Sequence, residues 1–162
     1  MSTLDQSQPI EPIPIEQHLT DFLTQNLAVS QYLGMKVQSY DSKTLTLSID
    51  LKPSLNDKLT AWGGSLYGLT VMNCWGMYYL QCRERDIEPN LVVSQGVIDY
   101  LLPVDDTIII SSCYASTVDW DKVFTKVARS GRATVSLKAH VFNGKQKAVE
   151  FTGRYTLVGI KN

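Results

Sequence analysis

The stretch Gly63-Gly64-Ser65-Leu66-Tyr67-Gly68-Leu69-Thr70-Val71-Met72-Asn73-Cys74-Trp75-Gly76-Met77-Tyr78-Tyr79-Leu80-Gln81-Cys82-Arg83 decides how the rest of the chain must be arranged. It shows no period-two alternation and reads as one long helix. Its apolar residues, from Leu66 and Leu69 through Val71, Met72, Cys74 and Trp75 to Met77–Leu80, run nearly all the way round the helical wheel. Charge begins only at Arg83-Glu84-Arg85. A helix without a polar face has no side to give to solvent, so other elements must enclose it. The apolar run from Leu66 to Leu80 is interrupted by Thr70, Asn73 and two glycines, and it is shorter than the roughly 20 residues a bilayer crossing needs.

On both sides of this helix the pattern changes to strands. Upstream, Leu45, Leu47, Ile49 and Leu51 alternate with Thr44, Thr46, Ser48, Asp50 and Lys52, the signature of a half-buried strand. Met35 to Tyr40 supplies an antiparallel partner across the turn Asp41-Ser42-Lys43. Downstream of Pro89, four more strands are predicted over Leu91–Leu101, Thr107–Thr117, Arg132–Phe142 and Lys147–Val158. Asn143-Gly144 is expected to supply the positive φ values of the last hairpin.

Two amphipathic helices complete the pattern. One spans Ile15 to about Leu27; the other spans Asp119 to Arg129, with Asp119 or Asp121 as N-cap and Gly131 beyond its end. Pro9, Pro12 and Pro14 make residues 1–14 an extended leader and leave 15–162 as a single domain. Six antiparallel strands and a helix with no polar face fit together economically when the sheet curls around the helix and something else covers its remaining side. The expected class is therefore α+β, a hot-dog fold in which an antiparallel sheet of about six strands wraps a long central helix.

The chain has 162 residues, enough to bury a core without staples, and carries 15 basic against 16 acidic residues. That balance provides no general attraction for nucleic acid or an anionic membrane, so an anionic ligand would have to be held by local charges. Lys122, Lys126, Arg129 and Arg132 are the nearest such cluster, although the first three also fit one solvated helix face. Cys74, Cys82 and Cys113 are odd in number, form no CxxC pair and read as reduced core thiols. Met1 to Pro9 has neither a basic nor an apolar targeting region, so a cytoplasmic protein is expected. No His-x-x-His or mixed Cys/His spacing suggests a metal, and no cofactor is expected.

The junction Asn56-Asp57-Lys58-Leu59-Thr60-Ala61-Trp62-Gly63-Gly64-Ser65-Leu66-Tyr67 resembles the Asn-x-x-Gly-x-x-His-Gly-Gly signature of hot-dog thioesterases. Together with Tyr100-Leu101-Leu102-Pro103-Val104, Gly131-Arg132-Ala133 and Phe151-Thr152-Gly153-Arg154-Tyr155, it resembles the thioesterase family found as the C-terminal domain of the YiiD acetyltransferase. The resemblance runs from about Ile15 to Ile160. It implies a homodimer, or a dimer of dimers, whose sheets join edge to edge. It also implies acyl-thioester sites, for coenzyme A or acyl carrier protein, where the start of the long helix meets the partner subunit. In that family the domain often follows a GNAT-type acetyltransferase domain; with one domain's length here, acetyl transfer by such a fold is not expected.

Thioester hydrolysis needs donors for a carbonyl oxygen that becomes an oxyanion, and a base or carboxylate that activates water or attacks directly. Gly63, Gly64 and Ser65 open the long helix, whose unpaired N–H groups can meet the first need. The same glycines could instead serve only a tight turn. The second need is where the sequence departs from better understood thioesterases: the position seven residues after Gly64 is Val71, and the motif histidine is replaced by Trp62, which can cover a ligand but cannot move protons.

The remaining candidates are Asn56, matching the motif asparagine, and Asp57, the nearest acid, for carbonyl or water positioning and for the base. Asn73 within the helix must find a partner, either a ligand or a structural group. Asp99 could reach a partner subunit's site or serve as a sheet-face carboxylate. The expected function is hydrolysis of an acyl thioester of coenzyme A or acyl carrier protein, with catalytic roles for Asn56, Asp57, Gly64 and Ser65 and substrate contacts from Trp62, Gly63, Asn73 and Asp99. The alternative is a module that binds an acyl thioester without turning it over, or that partners an acetyltransferase.

Overall fold

The structure is a computed structural model that describes residues 12–159, so most of the expected leader lies outside the described residues. Its elements follow in the order α1 (Ile15–Asn26), α2 (Ala28–Tyr32), β1 (Lys36–Tyr40), β2 (Thr44–Asp50), α3 (Gly63–Arg83), β3 (Leu91–Tyr100), β4 (Ile108–Tyr114), α4 (Trp120–Ser130), β5 (Arg132–Asn143) and β6 (Gln146–Val158). The six strands form one antiparallel sheet in the order β1-β2-β4-β5-β6-β3. The 21 residues of α3 lie along its concave face, which is the hot-dog architecture.

Alternation along each strand decides what faces that helix. Leu45, Leu47 and Ile49 of β2, Ile109 and Cys113 of β4, Val135 to Val141 at odd positions of β5, and Val149, Phe151 and Tyr155 of β6 are buried against it. The opposite side of α3 is closed over its carboxyl half by α1: Phe22 packs on Trp75 and Tyr79, and Leu19 fills the space above Gly76. At the amino half this cover is missing, and Gly64, Tyr67 and Gly68 remain open to varying degrees.

One local reading is corrected and one element is new. Between α1 and β1 lies α2, a short helix tied back to α1 by the Ser30 hydroxyl, which donates to the carbonyls of Leu23 and Leu27. In the β5–β6 hairpin only Gly144 takes a positive φ, +60°. Asn143 instead accepts from the N–H groups of Asp105 and Asp106 and fastens the hairpin to the loop before β4. Asp119 caps α4 by accepting from the Lys122 N–H, and Gly131 ends it at φ +75°, as its sequence implies.

Candidate functional site

The amino end of α3 is delivered by the loop after β2, which is anchored on both flanks. Trp62 N–H donates to the Ser54 carbonyl and Ala61 N–H to the Val104 carbonyl, each at 2.7 Å. Trp62 is the N-cap residue, in extended conformation, and no side chain caps the helix. The N–H groups of Ser65 and Leu66 turn back to the Trp62 carbonyl at 3.0 and 3.2 Å. Among the described residues, nothing accepts from the N–H groups of Gly63 and Gly64. Of the Gly64 and Ser65 N–H groups, both expected to serve the thioester oxygen, that of Ser65 is occupied by the Trp62 carbonyl and that of Gly64 is free, as is the neighbouring Gly63 N–H. The Ser65 hydroxyl has no partner among the described residues, although the residue is only 3% exposed.

The indole of Trp62, 62% exposed, folds back across Gly64. A Cβ at position 64 would lie 2.5 Å from the ring, closer than real Cβ contacts come, so a side chain there would displace the indole. Two crevices meet at Gly64. The smaller, about 200 Å³, runs along α3 past Ser65, Gly68 and Met72 and is walled on the far side by Leu27, Val29, Tyr32 and Leu33, with Met35 and Pro53 beside them. The larger, about 460 Å³, lies between the helix start at Gly63, Gly64 and Leu66 and the segment Tyr100–Val104. The Tyr100 hydroxyl donates to the Gly63 carbonyl at 2.8 Å. Burial, reinforced by the neighbouring Tyr67, pushes the Tyr100 phenol above its ordinary value, so it stays a donor at neutral pH.

Trp62, Gly63, Gly64 and Ser65 thus converge, while the other sequence candidates lie elsewhere. Asn56 closes its own loop: its Oδ1 accepts from the N–H groups of Lys58 and Thr60, and its Nδ2 donates to the Thr60 hydroxyl. Asp57, with its side chain 81% exposed, pairs with Lys58 at 3.2 Å. Asn73 is fully buried; its Nδ2 donates to the Ser111 hydroxyl at 2.8 Å and its Oδ1 has no partner.

Asp99 stands on the outer face of the sheet, where Asp99 pairs across to Glu150 and Glu150 to His140, and it shares a small polar hollow with Lys138 and Thr152. Neither crevice is lined by Asn56, Asp57, Asn73 or Asp99. Lys122, Lys126 and Arg129 lie together with Asp119 and Asp121 on the open face of α4. Among the described residues there is no group of His, Cys, Asp and Glu that could hold a metal ion, and no helix is long and apolar enough to cross a membrane.

The residues missed from sequence are Gly68 and Tyr100. Tyr100 could have been found from the alternation of β3, which puts it on the inner face with Ile98. Nothing in the sequence singles out Gly68, because the space above it is made by a distant segment.

The comparisons agree with this architecture. Residues 16–159 match the family described as "Putative thioesterase (yiiD_Cterm)". A protein of unknown function from Chlorobaculum tepidum TLS is 36% identical, with a TM-score of 0.85 over 90% of this chain and 95% of that one. A structure described as the "putative thioesterase from Shewanella oneidensis" is 23% identical, with a TM-score of 0.81 over 89% and 97% of the two chains. A thioesterase from Haemophilus influenzae shares the fold at 8% identity, with a TM-score of 0.69 over 94% and 95%. The match over residues 16–159, nearly the whole of a chain folded as a hot dog, shows that it belongs to the YiiD C-terminal thioesterase family.

Proposed function

We propose that the chain binds an acyl thioester of coenzyme A or acyl carrier protein at the amino end of α3 and hydrolyses it. The observation that carries this reading is the pair of unoccupied N–H donors of Gly63 and Gly64 where two crevices meet. One crevice can take the acyl chain and the other the pantetheine arm, which brings the carbonyl between them to the donors. There the helix dipole favours the negative charge that develops on the oxygen. One such donor is typically worth about 3–4 kcal/mol of barrier. The Ser65 hydroxyl, one residue on, adds a further donor or holds the attacking water. Asp57, on the loop that leads into Trp62, is the acid nearest in sequence to the helix start and takes the role of base in this reading.

A homodimer is part of the same reading. β3 is an edge strand of ten residues without lysine or proline, and Val92, Val93 and Val97 are exposed along it. Such an edge invites a second copy. That pairing would bring the partner close to Tyr100 and the open amino half of α3.

A second reading, retention of the thioester without turnover, is favoured by a specific observation: among the described residues neither crevice is lined by a carboxylate, a histidine, a lysine or a cysteine. Thiol release from acyl-CoA substrates and from an acyl carrier protein thioester decides between the two. Turnover that falls with Asp57→Asn supports hydrolysis with that base. Tight binding with no free thiol supports the binding module.

A further inference from the structure

The smaller crevice has dimensions that say what belongs in it. Gly64, Ser65, Gly68 and Met72 share one side of α3, and at 1.5 Å per residue the wall from Gly64 to Met72 is about 12 Å long. Halfway along, a Cβ built on Gly68 would meet no atom within 4 Å, so the missing side chain is what leaves the space open. The facing wall is made of Leu27, Val29 and Leu33 with the Tyr32 ring among them, and among the described residues no charged side chain lines the crevice. Of the helix wall, the polar groups are the free Gly64 amide and the Ser65 hydroxyl, both at its amino end. This is a receptacle for a chain with a polar head and a hydrocarbon tail.

Resting on the thioester reading above, we infer that this cavity is the acyl-chain pocket and that Gly68 and Met72 set the length of chain it accepts. A dry cavity of about 150 Å³ takes a benzene ring, so about 200 Å³ takes on the order of eight carbons. The preferred substrates are therefore medium-chain acyl thioesters, while long chains leave part of the tail in water. Helical side chains lean toward the amino terminus. A side chain at position 68 therefore projects toward Gly64 and shortens the pocket, whereas the flexible Met72 side chain reaches toward Gly68 and forms its inner end. Truncating Met72 deepens it.

The test measures kcat/KM and calorimetric binding for acyl-CoA thioesters from acetyl to palmitoyl, and binding of the free alcohols butanol to decanol, with the full chain and with Gly68→Val and Met72→Ala. Thermal melts establish that each variant is folded. The expected result is a medium-chain optimum that moves to shorter chains in Gly68→Val, the octanoyl-to-butyryl ratio falling about tenfold or more, and to longer chains in Met72→Ala. Turnover or binding of acyl-CoA with a length profile that neither folded variant moves would overturn the inference and leave the proposed function standing. Alcohol binding with the expected length shifts, without any acyl-CoA binding, would uphold the pocket and remove the thioester reading. Binding of neither class would overturn both.

Discussion

The Tyr100 hydroxyl donates to the Gly63 carbonyl oxygen at 2.8 Å, tying the last residue of β3 to the first residue of α3. The sheet edge and the helix start are thereby held in one position, and a Cβ on Gly63 would press on the Tyr100 ring at 3.2 Å. The helix start that carries the free Gly63 and Gly64 N–H groups is thus braced by a contact from a strand 37 residues away in sequence.

Tyr100→Phe keeps the ring and removes this bond. Because the contact is exposed to water, the loss in stability is expected to be small, about 0.5–1 kcal/mol in urea unfolding. The effect on kcat/KM for acyl-CoA is expected to exceed it, since a small displacement of Gly63 misaligns the donors. Equal losses in stability and activity would mean that Tyr100 only braces the fold.

Gly64→Ala places a methyl group against the Trp62 indole. The ring must swing away, and the variant is expected to be destabilised. In a Trp62→Ala background the same substitution has nothing to strike, so the two changes are non-additive, with a coupling of about 0.5–3 kcal/mol. Additive unfolding free energies across the four proteins would show that the indole does not rest on Gly64 in solution.

Ser111→Ala removes the one partner of the buried Asn73 amide, whose Oδ1 is already unpaired. Leaving the whole amide unsatisfied costs about 1–3 kcal/mol. An unchanged denaturation midpoint would reveal that something other than Ser111 carries the Asn73 amide.

His140 is held below its ordinary value of 6.5, first by burial and then by the charge of Lys147, with Glu150 pulling the other way. Glu150 is itself held below 4.5, chiefly by the hydrogen bond from Lys147 at 2.7 Å. The unfolded chain takes up the imidazole proton near 6.5, whereas the folded chain does so only at lower pH. Stability is therefore fully present above 6.5 and declines as the pH falls through the folded value, with the Glu150 contribution lost separately below 4.5. Thermal melts against pH are expected to show the first decline, and His140→Gln to abolish it while leaving the acid-range loss in place.

Cys74, Cys82 and Cys113 are fully buried, and burial raises the Cys74 thiol and pushes that of Cys82 up to about 12. With all three sulfurs buried, and Cys74 and Cys82 held in the thiol form, the native protein is expected to resist an aromatic disulfide reagent at mildly alkaline pH and to release three equivalents only after denaturation. Rapid labelling of the native protein would mean that the core opens readily.

How much of this was legible beforehand follows from which forces are local. The bounds of α3 and the alternation of β2 and β5 could be read directly, because the period of apolar residues reflects which face is buried, and burial of α3 on almost every side demanded a wrapping sheet. The Gly63-Gly64 start of the helix was also visible, since a helix always leaves its first N–H groups unpaired. What the sequence could not decide was which of those groups stay free. That depended on the Trp62 carbonyl claiming Ser65 and Leu66. Nor could it show that Asn56 and Asp57 bond within their own loop, or that α2 stands away from Gly68 to leave a pocket. Hydrogen-bond partners and voids arise where segments distant in the chain meet, and no local pattern of residue types records those meetings.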